Sequence, residues 1–235
     1  MKHKVIVVLP AYNCESTLTN TLSDIPTDLV DEIILVDDFS RDNTVKLAQS
    51  LGLKHIFSHE KNKGYGANQK TCYDNAISLG GDIIIMLHPD YQYDPKLITE
   101  ILTKFKQGSK VVFASRLQNG FQAVRLGMPL YKYISNRVLT KIQNFCLRQN
   151  LSEYHTGYRA YSSDVLKQID YHKFSDDFIF DNQIAIAIIQ NGYKIDEIYC
   201  PAKYEPSSSS INFERSLKYG CGVLLLSIKY LLNKL

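Results

Sequence analysis

Apolar stretches of strand length alternate with segments of helical period along most of the chain. That alternation is the pattern of an α/β domain with a mostly parallel central sheet flanked by helices. Val5–Leu9 is apolar without interruption, as a strand buried on both faces requires, and Glu15–Ser23 then follows helical spacing. Ile33–Val36 reads as a second strand, and a helix is expected from about Asp42 to Leu51, stopped by Gly52. A short strand at His55–Phe57 leads into a glycine-bearing loop, Lys61–Gly66, and a helix from about Ala67 to Leu79. Asp82–Leu87 and Lys110–Ala114 continue the sheet. Between them Asp94 and Pro95 form a helix start, the first as cap and the second inside the first turn.

After Ala114 the pattern changes. Leu130, Ile134, Val138, Ile142 and Phe145 keep helical spacing, with Arg137, Lys141 and Arg148 on one flank, so Arg125–Arg148 is expected to form one long basic amphipathic helix. Shorter segments follow: Tyr158–Tyr161, a helix at Ser163–Gln168, another at Asp177–Gln190 and a strand at Lys194–Tyr199. Pro206–Ser210 reads as a loop before a last helix, Asn212–Leu232. The expected division is a catalytic domain over residues 1–205 and a C-terminal loop and apolar helix over 206–235, packed on the domain, a partner copy or a membrane surface.

With 45% hydrophobic and 22% charged residues among 235, the chain is ordinary for a globular protein. The five cysteines, Cys14, Cys72, Cys146, Cys200 and Cys221, are scattered without a Cys-x-x-Cys pair. A reducing, cytoplasmic setting is expected over a disulfide framework or zinc ribbon. Val5–Leu9 is too short for a signal-peptide core, and Cys221–Leu232 falls well below the ~20 residues that span a bilayer. A net charge of +3 is too mild to imply nucleic acid.

Four clusters carry candidate chemistry. Asp37 and Asp38 stand at the carboxyl end of a strand, where open α/β sheets bind ligands, and can accept from a nucleobase or ribose; Asp42 fits a helix cap. His88, Asp90 and Gln92 follow another strand at intervals of two, and such donors suit a divalent cation shared with a diphosphate. Lys61 and Lys63 flank the glycine loop, while Arg116 and Arg159 offer the planar fork that fits phosphate oxygens. Asp181, beside Phe180, is either a partly desolvated general base or an outward-facing helix residue.

Taken together, Val7–Asn13, Val36–Thr44, Asn62–Asn68, Asp90, Ser115–Arg116, Thr156–Ala160 and Asn191–Tyr193 stand in the order seen in family 2 glycosyltransferases. Over roughly residues 4–205 the sequence resembles most the branch that transfers sugars to dolichyl or polyprenyl phosphate. The resemblance implies a GT-A fold, a nucleotide-diphosphate sugar donor, Mg2+ or Mn2+ at the diphosphate, and inverting transfer to a lipid-phosphate or glycan acceptor in surface polysaccharide synthesis. It implies that Pro10, Tyr12, Asp37 and Asp38, with Lys63 nearby, hold the nucleoside. Asp90 and Gln92 would take the metal, Arg116 and Arg159 would face the phosphates, and Ser135 would stand on the acceptor-phosphate side. The chain departs from the family's Asp-x-Asp by having His88-Pro89-Asp90, which puts an imidazole where ribose or metal is met. The acceptor Ser is preceded here by Tyr131 and Lys132, a partial match. A hydroxyl acceptor would require Asp181 or a neighbour as base; a phosphate acceptor would not. The basic helix and the apolar tail fit peripheral contact with the inner face of the plasma membrane, or a homodimer. The competing reading is a nucleotide-sugar-binding module without activity. A nucleotidyltransferase is disfavoured because Pro10–Ser16 holds no glycine-rich phosphate loop.

Overall fold

The computed structural model describes residues 3–201 and 213–232. Seven strands form one sheet: β1 (Val5–Ala11), β2 (Glu32–Asp37), β3 (His55–Ser58), β4 (Ile83–Met86), β5 (Val111–Ser115), β6 (Arg159–Ser162) and β7 (Asp196–Tyr199). Their order across the sheet is β3-β2-β1-β4-β6-β5-β7. All pairs are parallel except those of β6, which runs antiparallel to both β4 and β5.

The uninterrupted apolar strands have the predicted consequence. In β1, Ile6 and Val8 enter one core while Val5, Val7, Leu9 and Ala11 enter the other. Helices α1 (Glu15–Asp24), α2 (Thr44–Ser50) and α4 (Ile98–Lys106) cover the second face. The first face is covered by α3 (Tyr65–Ser78), α7 (Ser163–Gln168) and α8 (Phe180–Gln190). Asp94 caps the turn before α4 as expected, accepting from the Lys96 amide at 3.0 Å with Pro95 in the first turn. Asp42 serves two helix starts: its carboxylate accepts from the amides of Thr44 and Glu15, both at 3.0 Å.

The single long helix expected over Arg125–Arg148 is two. A short α5 (Gln122–Arg125) ends at Gly127, whose φ of 102° interrupts the helix, and α6 (Leu130–Leu147) restarts behind Pro129. The start of the Asp177 helix also moves, to Phe180. The last helix, α9 (Phe213–Leu231), lies against α6 and α8, with Val223 and Ser227 buried and Leu226 and Tyr230 on the first core. The expected loop Pro206–Ser210 and the start of that helix at Asn212 lie outside the described residues. All five cysteines are free, four of them buried and Cys221 exposed. Among the described residues, no helix is long and apolar enough to cross a membrane.

Candidate active site

The strand order reverses between β1 and β4: the chain moves outward through β2 and β3, then returns across β1 to lay down β4. Ligands of open α/β sheets sit at such a switch point, beyond the carboxyl ends of the strands. Pro10 is buried inside β1, Tyr12 stands half-exposed just beyond it, and Asp37 ends β2 opposite Ala11. The loops after β1 and β2 hold each other. Asn13 donates its amide to Ser40 Oγ at 2.8 Å and accepts from the Arg41 amide at 2.8 Å. Both loops carry a left-handed non-glycine residue, Asn13 (φ 50°) and Phe39 (φ 67°), a strain that persists only where surroundings impose it.

The two adjacent aspartates have different surroundings. Asp38 is occupied by the protein: its carboxylate accepts from the amides of Lys63 (2.8 Å) and Gly64 (2.9 Å) and pairs with His59 Nδ1 at 2.8 Å. It shapes the glycine loop. Asp37 is also buried, and its Oδ2 accepts from the Ser40 amide at 3.0 Å, but its buried Oδ1 has no partner among the described residues. A buried carboxylate oxygen left unsatisfied is costly, so its donor is expected to come from a ligand or ordered water. The glycine loop itself presses on protein. A Cβ at Gly64 would lie 2.6 Å from the Asp176 carbonyl, and one at Gly66 2.4 Å from that of Ser175. Lys63 has an exposed side chain on the rim.

Beyond β4, Pro89 accepts from Thr17 Oγ1 at 2.6 Å and Thr21 Oγ1 at 3.2 Å, which ties the metal-candidate loop to α1. The loop that carries His88, Asp90 and Gln92 is not extended. Tyr91 is left-handed (φ 58°), and the Gln92 amide folds back onto Asp90 Oδ1 at 3.2 Å, with Gln92 buried. His88 Nε2 lies 3.0 Å from Tyr65 Oη, which donates to Asp181 Oδ2 at 2.8 Å. Asp181 Oδ1 accepts from Gln69 Nε2 at 3.1 Å and lies 4.0 Å from Arg159. Burial holds the His88 imidazole below its ordinary pKa, against the opposing pull of Asp90 and Asp181. Asp181 therefore faces inward, not to solvent, and both its oxygens are engaged.

Both arginines expected to face phosphates are engaged by the protein itself. Arg159 is fully buried and spends its donors on the carbonyls of Thr156 (2.7 Å), Asp181 (2.6 Å) and Tyr154 (2.7 Å), with its guanidinium over the Phe113 ring. These bonds tie β6 to the chain before it and to the start of α8. Arg116 is paired with fully buried Glu153 through Nε (2.9 Å), Nη2 and its own amide (2.8 Å), and Nη2 also donates to the His155 carbonyl at 3.0 Å. Lys132, in the first turn of α6, has a pKa lowered by burial and by the nearby Arg116 cation. Ser135 is exposed one turn further along that helix.

Tyr65, Gln69 and Glu153 carry no sequence signal of these roles, since their partners lie 37 to 116 residues away, apart from the Tyr65–His88 separation of 23. Among the described residues no three or more His, Cys, Asp or Glu side chains gather into a metal cage.

Residues 6–170 match the pattern of glycosyl transferase family 2. The chain belongs to this family. The matched span takes in the β1/β4 switch point, the glycine loop, the His88–Gln92 loop and all of β6. Among curated family 2 relatives, a UDP-N-acetylglucosamine–dolichyl-phosphate N-acetylglucosaminyltransferase from Methanococcus voltae is 29% identical over 180 residues, 69% of this chain and 71% of the relative. A polyprenol monophosphomannose synthase from Mycolicibacterium smegmatis is 24% identical over 202 residues, covering 83% and 76%. The fold matches that of glucosyl-3-phosphoglycerate synthase from Mycobacterium tuberculosis, solved with Mn2+, UDP and phosphoglyceric acid, at a TM-score of 0.71 and 17% identity. That match covers 97% of this chain and 78% of that one. The same enzyme was also crystallised with Mg2+ and UDP. The fold is GT-A and the chain a glycosyltransferase; its relatives' activities disfavour the reading as an inactive binding module.

Proposed function

We propose that this family 2 glycosyltransferase takes a sugar, with inversion, from a nucleoside-diphosphate donor and places it on a lipid phosphate in cell-envelope or surface polysaccharide synthesis. The observation that carries the donor half is the buried Asp37 Oδ1 beside the switch point, which has no partner among the described residues. It is an acceptor positioned for an N–H of a nucleobase or a ribose hydroxyl. Tyr12, half-exposed at the same edge, offers a ring for stacking, and Pro10 and the Asp38-held glycine loop form the wall. UDP sugars are the first donors to test, following the Methanococcus voltae relative.

The residues after β4 fit a divalent cation held jointly with the donor. Asp90 and His88 supply one oxygen-rich and one imidazole ligand, a mixed set suited to Mn2+ or Mg2+, and Gln92 backs Asp90 through its amide. When bound, the cation offsets the negative charge that builds on the leaving diphosphate. Lys63, exposed on the glycine loop, would add a positive charge for the diphosphate.

A phosphate acceptor is favoured by the state of Asp181. Its carboxylate already accepts from Tyr65 and Gln69 inside the fold, so it is poorly placed to take a proton from an attacking hydroxyl. An ionised phosphate oxygen needs no base. Lys132 and Ser135, a helical turn apart on α6, would receive that phosphate, and its charge would relieve the repulsion between Lys132 and Arg116.

Contact with a membrane surface completes the reading. On α6, Leu130, Ile134 and Val138 are each about half exposed and Phe145 more so, bordered by Arg137 and Lys141; Leu225 and Ile228 are exposed on α9 beside Lys229. Basic amphipathic faces of this kind lie in the interface of anionic bilayers, which would hold the enzyme at the inner face of the plasma membrane.

The test is transfer of labelled sugar from a UDP sugar to dolichyl or polyprenyl phosphate, with Mn2+ or Mg2+. Asp37→Asn should weaken UDP binding at least tenfold by calorimetry; unchanged affinity overturns the donor reading. Asp181→Asn should keep metal-free UDP binding. A large loss of turnover with both UDP and Mn2+ affinity intact would point instead to a glycan hydroxyl acceptor. Binding to anionic liposomes at low salt is expected, and a soluble homodimer that buries the α6 face would replace the membrane reading.

A further inference from the structure

An aspartate at the position of His88 would present equivalent oxygens whichever way it turned, whereas an imidazole offers a lone pair on one nitrogen only. A histidine that meets a ligand there therefore needs its tautomer held. The first turn of α3 supplies the holding group. Tyr65 Oη gives its one proton to Asp181 Oδ2, so the 3.0 Å contact with His88 Nε2 requires that nitrogen to carry the hydrogen. Nδ1 is left with the ring's lone pair.

The packing keeps the ring in that orientation. Tyr65 stacks on His88, with centroids 5.4 Å apart and planes 14° from parallel, and on its other side packs against Phe178 at 4.6 Å. Gly157 closes the opposite side so tightly that a Cβ there would lie 2.5 Å from Nε2. Asp181, the end of the relay, is fixed in turn by Gln69 and by the buried Arg159.

We infer that Tyr65 is a positioning residue: it fixes His88 as the Nε2–H tautomer, so that Nδ1 meets the divalent cation and diphosphate beside Asp90. The inference rests on the donor site proposed above. Metal-bound histidines are commonly oriented by a hydrogen bond from the other ring nitrogen, and loss of that partner typically weakens metal binding about 10- to 100-fold. In this chain the partner is a tyrosine relayed to a carboxylate, so the change from Asp to His and the phenol of the Gly64-Tyr65-Gly66 loop act as one device.

Two measurements test it. In metal-free protein labelled with 15N-histidine, long-range 1H–15N correlation spectra should show His88 with Nε2 protonated and Nδ1 of the unprotonated type; His88→Asp assigns the signals. The opposite tautomer in the wild type overturns the inference without any other variant having to fold. Tyr65→Phe should then mix the tautomers and weaken Mn2+ binding to the UDP complex about tenfold, while in the His88→Asp background the same change should cost less than twofold. Equal losses in the two backgrounds would mean that Tyr65 only supports the fold. An unaltered tautomer in Tyr65→Phe would also overturn the inference. Failure of the functional reading looks different: the wild type would bind no UDP with or without Mn2+.

Discussion

Replacing Glu153 by glutamine separates a structural Arg116 from one that serves a ligand. The Glu153 carboxylate is fully buried and accepts from Arg116 Nε, Nη2 and the backbone amide, and the Arg116 side chain is only 11% exposed. Glutamine keeps the shape but removes the charge and turns one acceptor into a donor facing the guanidinium. Removing one member of a buried pair costs about 3–5 kcal/mol, because the other charge is left without compensation. A domain has about 5–15 kcal/mol in all. With a urea dependence near 3 kcal/mol per molar, the midpoint should fall by about 1–2 M, measured by circular dichroism. Adding Arg116→Met to Glu153→Gln should recover at least half of the loss, since the stranded cation is then gone. If Arg116→Met left stability unchanged and abolished UDP binding, Arg116 would be a phosphate ligand and the structural reading would be wrong.

Three more outcomes are expected. Burial lowers the His155 pKa from 6.5 to about 3, so the unfolded chain takes up a proton below pH 6.5 that the folded one refuses; stability is complete above 6.5 and declines as pH falls towards 3. Between pH 7 and pH 5 this group alone accounts for about 2 kcal/mol, and His155→Gln should flatten the decline in thermal melts by that amount. Gly66→Ala drives a methyl to 2.4 Å from the Ser175 carbonyl and 2.8 Å from Phe180 Cβ, and should cost about 2 kcal/mol or more in the urea midpoint; a neutral result would mean that the glycine loop yields. Tyr219→Phe strands Asn182 Nδ2 and His155 Nδ1, both held by its hydroxyl, and should raise amide exchange in α9 before any global unfolding, for about 1–3 kcal/mol.

Strand positions were legible because both faces of the sheet are covered, which leaves uninterrupted apolar runs such as Val5–Leu9 and Ile83–Met86. Helix ends were legible where a glycine stops the helix or an aspartate caps its start. The direction of β6 was not: Arg159–Ser162 is too short and too polar at its ends to announce an antiparallel partner. Nor was the break at Gly127, because Leu130 to Phe145 keep helical spacing on the far side of it. At the candidate site, the position of Asp37 and His88 at or just after strand ends was legible in the sequence. Asp37 and Asp38 were indistinguishable in sequence, and only the fold brings the Lys63 and Gly64 amides to the second of them. Nor was the burial of Arg159 legible, because a charged residue at a strand end usually points outward; here three carbonyls and an aromatic ring take it in.

The pairing of Arg116 with Glu153, with Ser115 and Ser152 joined alongside at 2.5 Å, closes the base of everything between β5 and β6. Both ends of that 37-residue separation meet at one clasp, while the loops after β1 and β2 are tied to each other, to α1 and, through Asp38, to His59 and the amides of Lys63 and Gly64. The excursion carrying Lys132, Ser135 and the α6 face is thus set off at its base from the nucleotide half, and it meets the rest of the domain again where Gln143 of α6 donates to Asn182 of α8 at 2.8 Å. Under the acceptor reading proposed above, a chimera cut at Arg116 and Glu153 that keeps Gln143 should change which acceptor is used and leave UDP affinity as it was.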